Sequence, residues 1–313
     1  MSLSQYADDR AGGAASVRCP MRIRRLFSAA MLALGWLWHA AGAAQEISER
    51  IEKVPVKVTD LYGKEIEREI TVTVFELAGR APYPLLVLNH GRAADDAGRV
   101  KMGRARYSEA SKWFASQGYS VWVPTRVGYG VSGTDEDPEY TGTCQNKRYA
   151  PGYAASVDQT LQVIEHAKRR TDIDARRIIV VGQSFGGMTS IGVAARNVPG
   201  VMATVNFAGG GGANPGSQPG EPCLPDRLRA MFADYGKTAR VPTLWVYTEN
   251  DKWMGSRYPK EWFDAFRSAG GTGEFVLQPP FGEDGHTLFA RGAALWRPIV
   301  ERFLAGVPAN ANH

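Results

Sequence analysis

Three side chains that together could carry out acyl transfer lie in the second half of the chain. Ser184 is at the centre of the motif Gly182-Gln-Ser-Phe-Gly186, and Asp251 and His286 follow it in that order. A serine hydroxyl becomes a nucleophile when an imidazole removes its proton, and a carboxylate fixes the tautomer of that imidazole. The sequence therefore predicts Ser184 as nucleophile, His286 as general base and Asp251 as the residue that orients the base.

The serine motif is informative because of the residues on either side of it. Residues 178–181 are all β-branched, which is typical of a strand buried on both faces, and residues 188–196 suit a helix. A sharp turn between strand and helix strains its central residue and lifts the hydroxyl above the sheet. The motif is neither a dinucleotide fingerprint nor a phosphate loop, because it lacks their glycine and Gly-Lys-Ser/Thr patterns.

The choice of base and acid depends on chain order. His313 is the last residue; of the other four histidines, only His286 follows a strand-end acid in the order Ser, Asp or Glu, His. Asp251 comes just after a predicted strand over residues 242–248. Glu249 and Asp284 are alternative acids; Glu249 is closer to the strand, and Asp284 is close to His286 in sequence.

Two backbone N–H groups are predicted to bind the oxyanion of the tetrahedral intermediate. One belongs to Phe185, directly after the nucleophile, and the other to the loop that follows the first parallel strand. In that loop Arg92 is favoured over Gly91. Each such donor typically contributes about 3–4 kcal/mol of transition-state stabilisation.

The elements that must position these residues follow a regular order. From residue 85 onward strands alternate with helices, which predicts an α/β fold with one mostly parallel sheet flanked by helices. Residues 54–58 and 71–75 alternate in polarity and predict antiparallel N-terminal strands. No linker divides residues 45–313, so we expect a single domain. Loop insertions at about 124–152 and 209–225 are predicted to roof the site.

On these motifs the chain resembles the α/β-hydrolase family, most closely its dienelactone-hydrolase-like branch, over about residues 50–305. Asn89-His-Gly91 and Asp284-Gly-His286 contribute to the likeness together with the serine and Asp251 motifs. The resemblance implies the α/β-hydrolase fold and hydrolysis of carboxylic esters. Typical dienelactone hydrolases are cytosolic and use a cysteine nucleophile, so the likeness does not extend to their substrate. A peptidase or amidase of the same fold and a non-catalytic binding protein are the alternatives.

Residues 1–44 are predicted to be an N-terminal extension and a signal peptide. Residues 21–25 are basic, residues 26–38 are apolar but too short to span a bilayer, and residues 41–44 are small. We expect translation to begin at Met21; an uncleaved anchor is the alternative. The predicted location is periplasmic or secreted, with no stable membrane association after cleavage.

Charge and composition exclude one class of partner. The 313 residues carry a net charge of +5, but five arginines and two aspartates lie within residues 1–44. The remainder is nearly balanced, so no basic surface for nucleic acid is predicted. No motif indicates a cofactor or a metal site. The expected partner is a small-molecule ester, and the oligomeric state is not predicted.

The two irregular stretches each contain one cysteine. An oxidising compartment favours a disulfide between Cys144 and Cys223 that joins these stretches over the cleft; two free thiols are the alternative. Four aromatic residues are predicted to line the pocket or, alternatively, to pack behind it: Tyr129, Tyr149, Tyr153 and Trp253.

Overall fold

The computed structural model describes residues 46–308, which contain eight strands and eight α-helices. The strands are β1 (Ile47–Thr59), β2 (Glu65–Leu77), β3 (Tyr83–Asn89), β4 (Ser120–Thr125), β5 (Ile173–Gln183), β6 (Val201–Phe207), β7 (Thr243–Thr248) and β8 (Gly273–Gln278). The helices are α1 (Asp96–Lys101), α2 (Ser108–Ser116), α3 (Tyr149–Lys168), α4 (Phe185–Ala194), α5 (Pro225–Thr238), α6 (Arg257–Ser268), α7 (Leu288–Arg291) and α8 (Ala293–Ala305).

All eight strands form one sheet in the order β1-β2-β4-β3-β5-β6-β7-β8. The pairs β1–β2 and β2–β4 are antiparallel, and the remaining pairs are parallel. The predicted α/β class, with a mostly parallel sheet and antiparallel N-terminal strands, is confirmed. Because β3 and β5 to β8 run in one direction, their carboxyl ends share one edge of the sheet, where α/β active sites open.

The sheet is buried on both faces by separate groups of helices. Alternate residues of a strand point to opposite faces: Leu85 and Val87 of β3 join one core, and Leu86 and Leu88 join the other. The first core contains residues of α3, α4, α5 and α6, and the second contains residues of α2, α7 and α8. This double burial explains the wholly apolar runs by which the parallel strands are identified in the sequence.

Two of the longer helices, α3 and α5, depart from the sequence expectations. Helix α3 begins at Tyr149, inside the stretch predicted to be irregular, because Pro151 lies in its first turn, where proline removes no helical hydrogen bond. Helix α5 has no counterpart in the prediction. It begins with Pro225 and buries Leu228, Phe232 and Gly236, a four-residue spacing that leaves most of its surface polar.

Residues 46–308 belong to one compact unit. The predicted extension and signal peptide lie outside residues 46–308. Within that range, no helix combines the length and apolar character needed to cross a bilayer.

Candidate active site

Ser184 occupies a sharp turn between β5 and α4. Its backbone angles are φ 57° and ψ −123°, a conformation that non-glycine residues rarely adopt. A Cβ on Gly182 would lie 2.0 Å from the carbonyl oxygen of Gly186, so the strand and the helix can meet only with glycine there. The N–H of Ser184 donates to the carbonyl of Phe207 at the end of β6 (2.8 Å), which fixes the turn to the sheet.

Asp251 and His286 meet at the same edge, although 35 residues separate them. Nδ1 of His286 lies 3.1 and 3.0 Å from the two carboxylate oxygens of Asp251. Oδ1 of Asp251 also accepts from the N–H groups of Trp253 (2.8 Å) and Met254 (2.9 Å). Asp251 follows β7, and His286 lies in the 3-10 turn Gly285–Thr287 after β8. These bonds orient the carboxylate toward the imidazole before any substrate binds.

The two alternative acids have other surroundings. Oδ1 of Asp284 accepts from the backbone N–H groups of His286 (3.0 Å) and Lys252 (3.0 Å), so it shapes the loops that carry the pair. Glu249 is exposed. In the described part of the chain, neither carboxylate is hydrogen-bonded to the imidazole of His286, and Asp251 alone has this contact.

Among the described residues no hydrogen bond joins Ser184 to the imidazole of His286, but the chain segments that carry them are in contact. Nε2 of Gln183, the residue before Ser184, donates to the carbonyl oxygen of His286 (3.4 Å). The imidazole stacks on the indole of Trp253, with centroids 5.2 Å apart and an interplanar angle of 26°. Bonds between nucleophile and base often tighten only in the substrate complex. This edge of the sheet thus contains the hydroxyl of Ser184 on a strained turn, the oriented imidazole of His286 and the buried carboxylate of Asp251.

In the loop after β3, the backbone N–H groups of Gly91 and Arg92 differ in whether they have an acceptor. The Gly91 N–H donates to Oη of Tyr107 (3.3 Å). The N–H groups of Arg92 and Phe185 have no acceptor among residues 46–308. Phe185 is the first residue of α4, where N–H groups lack helical partners and the helix dipole is positive. Two donors suited to a developing negative charge therefore flank Ser184.

Tyr107 and Gln183 link the loops around this edge, and neither was predicted from the sequence. Oη of Tyr107 donates to Oε1 of Gln183 (3.1 Å), while Nε2 of Gln183 reaches the His286 loop. A Cβ on Gly91 would lie 2.8 Å from Oε1 of Gln183 and 3.1 Å from Cβ of Ser184, so a larger residue would push on both side chains. Burial raises the pKa of Tyr107, which keeps its phenol protonated as a donor. Gln183 could have been singled out as the residue beside the nucleophile; no sequence signal indicated Tyr107.

A buried polar cluster supports the oxyanion loop from behind. Nδ1 of His90 bonds to the carbonyl of Gly91 (2.6 Å), and Nε2 of His90 accepts from the N–H of Arg126 (3.2 Å). Burial, with the nearby Arg126, holds the pKa of His90 well below its ordinary value, so the ring is neutral. The Arg126 guanidinium binds the carbonyl of His90 (2.9 Å) and pairs with Glu139, and both charged side chains are fully buried. His90 therefore shapes the loop.

A cavity of about 310 Å³ opens beside Ser184. Its lining includes Phe185, Met254 and the Arg92 side chain, and residues 140–144 and 210–214 cover it. Cys144 and Cys223 both line it and form a disulfide, with Cα atoms 5.1 Å apart. The predicted bond is present and joins the two irregular stretches.

The expectation for the four aromatic residues needs correction. Trp253 lines the cavity, but the three tyrosines are buried behind its wall. Oη of Tyr129 donates to Glu139 (2.7 Å), and Oη of Tyr149 donates to the carbonyl of Cys223 (2.5 Å). Tyr153 stacks on Phe185 at 4.0 Å. Tyr149 and Tyr153 support the wall because α3 begins early and turns them toward the core. Tyr129 lies before that helix and is held by its hydrogen bond to Glu139.

Comparison with solved structures supports the same fold at low sequence identity. A protein assigned as a dienelactone hydrolase, from Klebsiella pneumoniae, is 19% identical, with a TM-score of 0.53 over 82% of this chain and 98% of that chain. An acetyl xylan esterase from Paenibacillus sp. R4 is 15% identical, with a TM-score of 0.55 over 84% and 90%. An acylaminoacyl peptidase from Pyrococcus horikoshii is 14% identical, with a TM-score of 0.58 over 85% of this chain and 43% of that chain. At such identities the likeness shows the fold alone.

No curated protein sequence matches this chain significantly. The sequence profile of the family described as "Serine aminopeptidase, S33" matches residues 84–261. The match covers more than half of the chain, from β3 through the turn at Ser184 and past Asp251 into α6. The chain therefore belongs to the serine aminopeptidase S33 family of α/β-hydrolases.

Proposed function

We propose that this hydrolase cleaves carboxylic esters through an acyl-enzyme on Ser184. The observation that carries the proposal is the contact between His286 and Asp251 at the sheet edge that also presents the strained Ser184. Nucleophile, base and orienting acid come from the ends of three different strands, in the chain order expected for this fold.

Each described group has a role in this reaction. Oγ of Ser184 attacks the ester carbonyl while Nε2 of His286 takes its proton, and Asp251 stabilises the imidazolium. The N–H groups of Phe185 and Arg92 bind the oxyanion. His286 then returns the proton to the leaving alcohol. Water repeats the attack on the acyl-enzyme with the same base and releases the carboxylic acid.

The family's description makes a peptidase the second candidate, and the cavity charge argues against an aminopeptidase. An aminopeptidase must bind the free ammonium group of its substrate, which calls for acidic side chains. Arg92 and Lys147 line the cavity, and none of the described lining residues is Asp or Glu. An ammonium group would meet charge of its own sign there, whereas a neutral or anionic ester would not.

We also propose that the enzyme is periplasmic or secreted. The Cys144–Cys223 disulfide supports this location, because structural disulfides persist in oxidising compartments. The basic and apolar segments within residues 21–38 fit the same proposal.

The test compares esters with amides in wild type and in Ser184→Ala. We expect turnover of p-nitrophenyl acetate that exceeds turnover of alanine p-nitroanilide, and a loss of about 10⁴-fold or more in Ser184→Ala. A fluorophosphonate should label wild type but not the variant. Ser116→Ala, at an exposed serine of α2, is the matched control. Ester turnover that survives in Ser184→Ala would refute the assignment, and faster turnover of the anilide would favour the peptidase.

A further inference from the structure

Two cationic side chains line the cavity beside Ser184. One is paired with a carboxylate and the other is not. Arg92 is neutralised, because its guanidinium binds both carboxylate oxygens of Asp137 (2.7 and 2.5 Å). The other cation is Lys147. In the described part of the chain it has no carboxylate within ion-pair distance, so the cavity retains about one positive charge.

The ammonium group of Lys147 is bound by neutral acceptors. Nζ donates to Oγ1 of Thr141 (3.2 Å) and to the carbonyl of Gly142 (2.6 Å). An ammonium group has three protons, so one remains for another acceptor. Burial and then the charge of Arg92 lower the pKa of Lys147, while Asp137 acts weakly in the opposite direction. An anion in the cavity would relieve this unfavourable environment.

The acidic residues that adjoin the cavity lining in sequence are already engaged. Glu139, directly before the lining residue Tyr140, pairs with Arg126. Asp95 and Asp96 follow the lining residue Ala94. Oδ1 of Asp95 caps α1 by accepting from the Gly98 N–H (2.6 Å), and Asp96 pairs with Arg99 (3.1 Å). None of these carboxylates lines the cavity, so none supplies the missing counter-charge.

Lys147 is held in place before any ligand arrives. It directly follows the 3-10 turn Cys144–Asn146, whose first residue is tied to the opposite loop by the disulfide. The carbonyl of Lys147 accepts from the Arg227 side chain. The N–H of the next residue, Arg148, donates to the carbonyl of Thr141 (2.7 Å). Binding through a fixed ammonium group loses little side-chain entropy.

The positive charge continues outward from the cavity. Lys147 also lines a neighbouring open groove together with Arg148 and Arg227, which are both exposed. Within residues 46–308 neither arginine has a carboxylate partner. A path lined by one sign of charge attracts substrates of the opposite sign and raises their association rate.

We propose that Lys147 is a carboxylate-binding subsite and that the enzyme hydrolyses esters which carry a carboxylate close to the scissile bond. The proposal rests on the ester hydrolase function proposed above and names its substrate class. The third Nζ proton would form a charge-assisted hydrogen bond with the substrate carboxylate. Lys147 is then a specificity-determining residue, and Ser184, His286 and Asp251 act on the ester carbonyl.

Two matched ester pairs test the subsite. Mono-p-nitrophenyl adipate against p-nitrophenyl hexanoate places the carboxylate on the acyl side, and 4-carboxyphenyl acetate against 4-methylphenyl acetate places it on the alcohol side. In one pair we expect wild type to have a KM about tenfold lower for the anionic ester. Lys147→Met should reduce the anionic-to-neutral ratio of kcat/KM about tenfold, mostly through KM, and Lys147→Arg should retain part of it. Lys112→Met, at an exposed lysine of α2, is the control and should keep the ratio.

Two results would overturn the subsite: equal KM values in both pairs for wild type, or a preference that survives in Lys147→Met. Hexanoate turnover that depends on Ser184 reports on the ester hydrolase function by itself. If no ester is hydrolysed, calorimetric titration with monomethyl adipate still tests the subsite, because it measures carboxylate binding without turnover. Weaker binding to Lys147→Met than to wild type supports the subsite. Equal binding to the two proteins, or no binding to either, would refute it.

Discussion

The two sides of the cavity are built in different ways. The floor is the sheet edge that carries Ser184, which lines the cavity, together with the adjoining pair Asp251 and His286, at the carboxyl ends of hydrogen-bonded parallel strands. The roof consists of residues 140–147 and 210–214, two loops that the Cys144–Cys223 disulfide joins. The sheet defines the floor from below, whereas a covalent bond and a few hydrogen bonds define the roof. We infer that the floor determines the reaction and the roof determines the substrate.

The two sides also differ in how their charges are treated. Behind the floor, Arg126 and Glu139 are fully buried and paired, as buried charges must be. In the roof, Lys147 has neutral partners and remains open to the cavity. A paired charge stabilises one loop conformation, while an uncompensated charge is available to a ligand.

The largest expected effect is the loss of ester turnover when a residue of the floor, Asp251, is changed. Asp251→Asn should lower kcat for esters about 10⁴-fold. The asparagine oxygen can still accept from Trp253 and Met254, but an amide donor toward Nδ1 of His286 favours the wrong tautomer. Steady-state kinetics, with circular dichroism to check folding, measures this loss. Glu249→Gln, two residues earlier and exposed, is the control; a comparable loss in that variant would contradict the assignment of Asp251.

Removal of the disulfide tests the roof. Cys144→Ser with Cys223→Ser should lower the free energy of unfolding by roughly 4–5 kcal/mol, because the bond spans 79 residues and restricts the unfolded chain. Urea denaturation of both proteins measures the difference. Reduction of wild type with a thiol should reproduce it. Unchanged stability in both experiments would show that hydrogen bonds alone hold the roof.

The same double variant sharpens the contrast in function. The loop that positions Lys147 loosens, while the sheet that positions Ser184 is unaffected. We therefore expect the preference for carboxylate esters to decline more than turnover of small neutral esters. Equal losses for both substrates would contradict the division of roles between roof and floor.

The smallest expected effect concerns the link between the oxyanion loop and the nucleophile strand. Tyr107→Phe leaves the Gly91 N–H and Oε1 of Gln183 without their shared hydroxyl. A lost hydrogen bond of this kind is worth about 1–1.5 kcal/mol, so kcat should decrease about tenfold with little change in KM. Tyr62→Phe, at a tyrosine that is 78% exposed, should have wild-type kinetics. A kcat for Tyr107→Phe equal to that of wild type would remove the positioning role of Tyr107.

Much of the fold could be predicted from the sequence because its signals are local. The apolar runs of the parallel strands identify the sheet core. Helix α5 was missed, although three of its buried positions, Leu228, Phe232 and Gly236, recur at a helical spacing. The candidate pocket was predicted less well. Tyr129, Tyr149 and Tyr153 were expected in the lining, and the direction of a side chain in a long irregular stretch has no local signature.

The sequence by itself determined the strand–turn–helix around Ser184 and the order in which Asp251 and His286 follow it. These features depend on residue type and short-range spacing, which fix backbone conformation and strand ends. The tertiary structure decided that the Gly91 N–H is engaged while that of Arg92 has no acceptor in the described chain. It also decided that Lys147 faces the cavity without a carboxylate partner there. Such outcomes depend on contacts between distant segments, because a hydrogen bond or an ion pair exists only when folding brings both partners within about 3 Å.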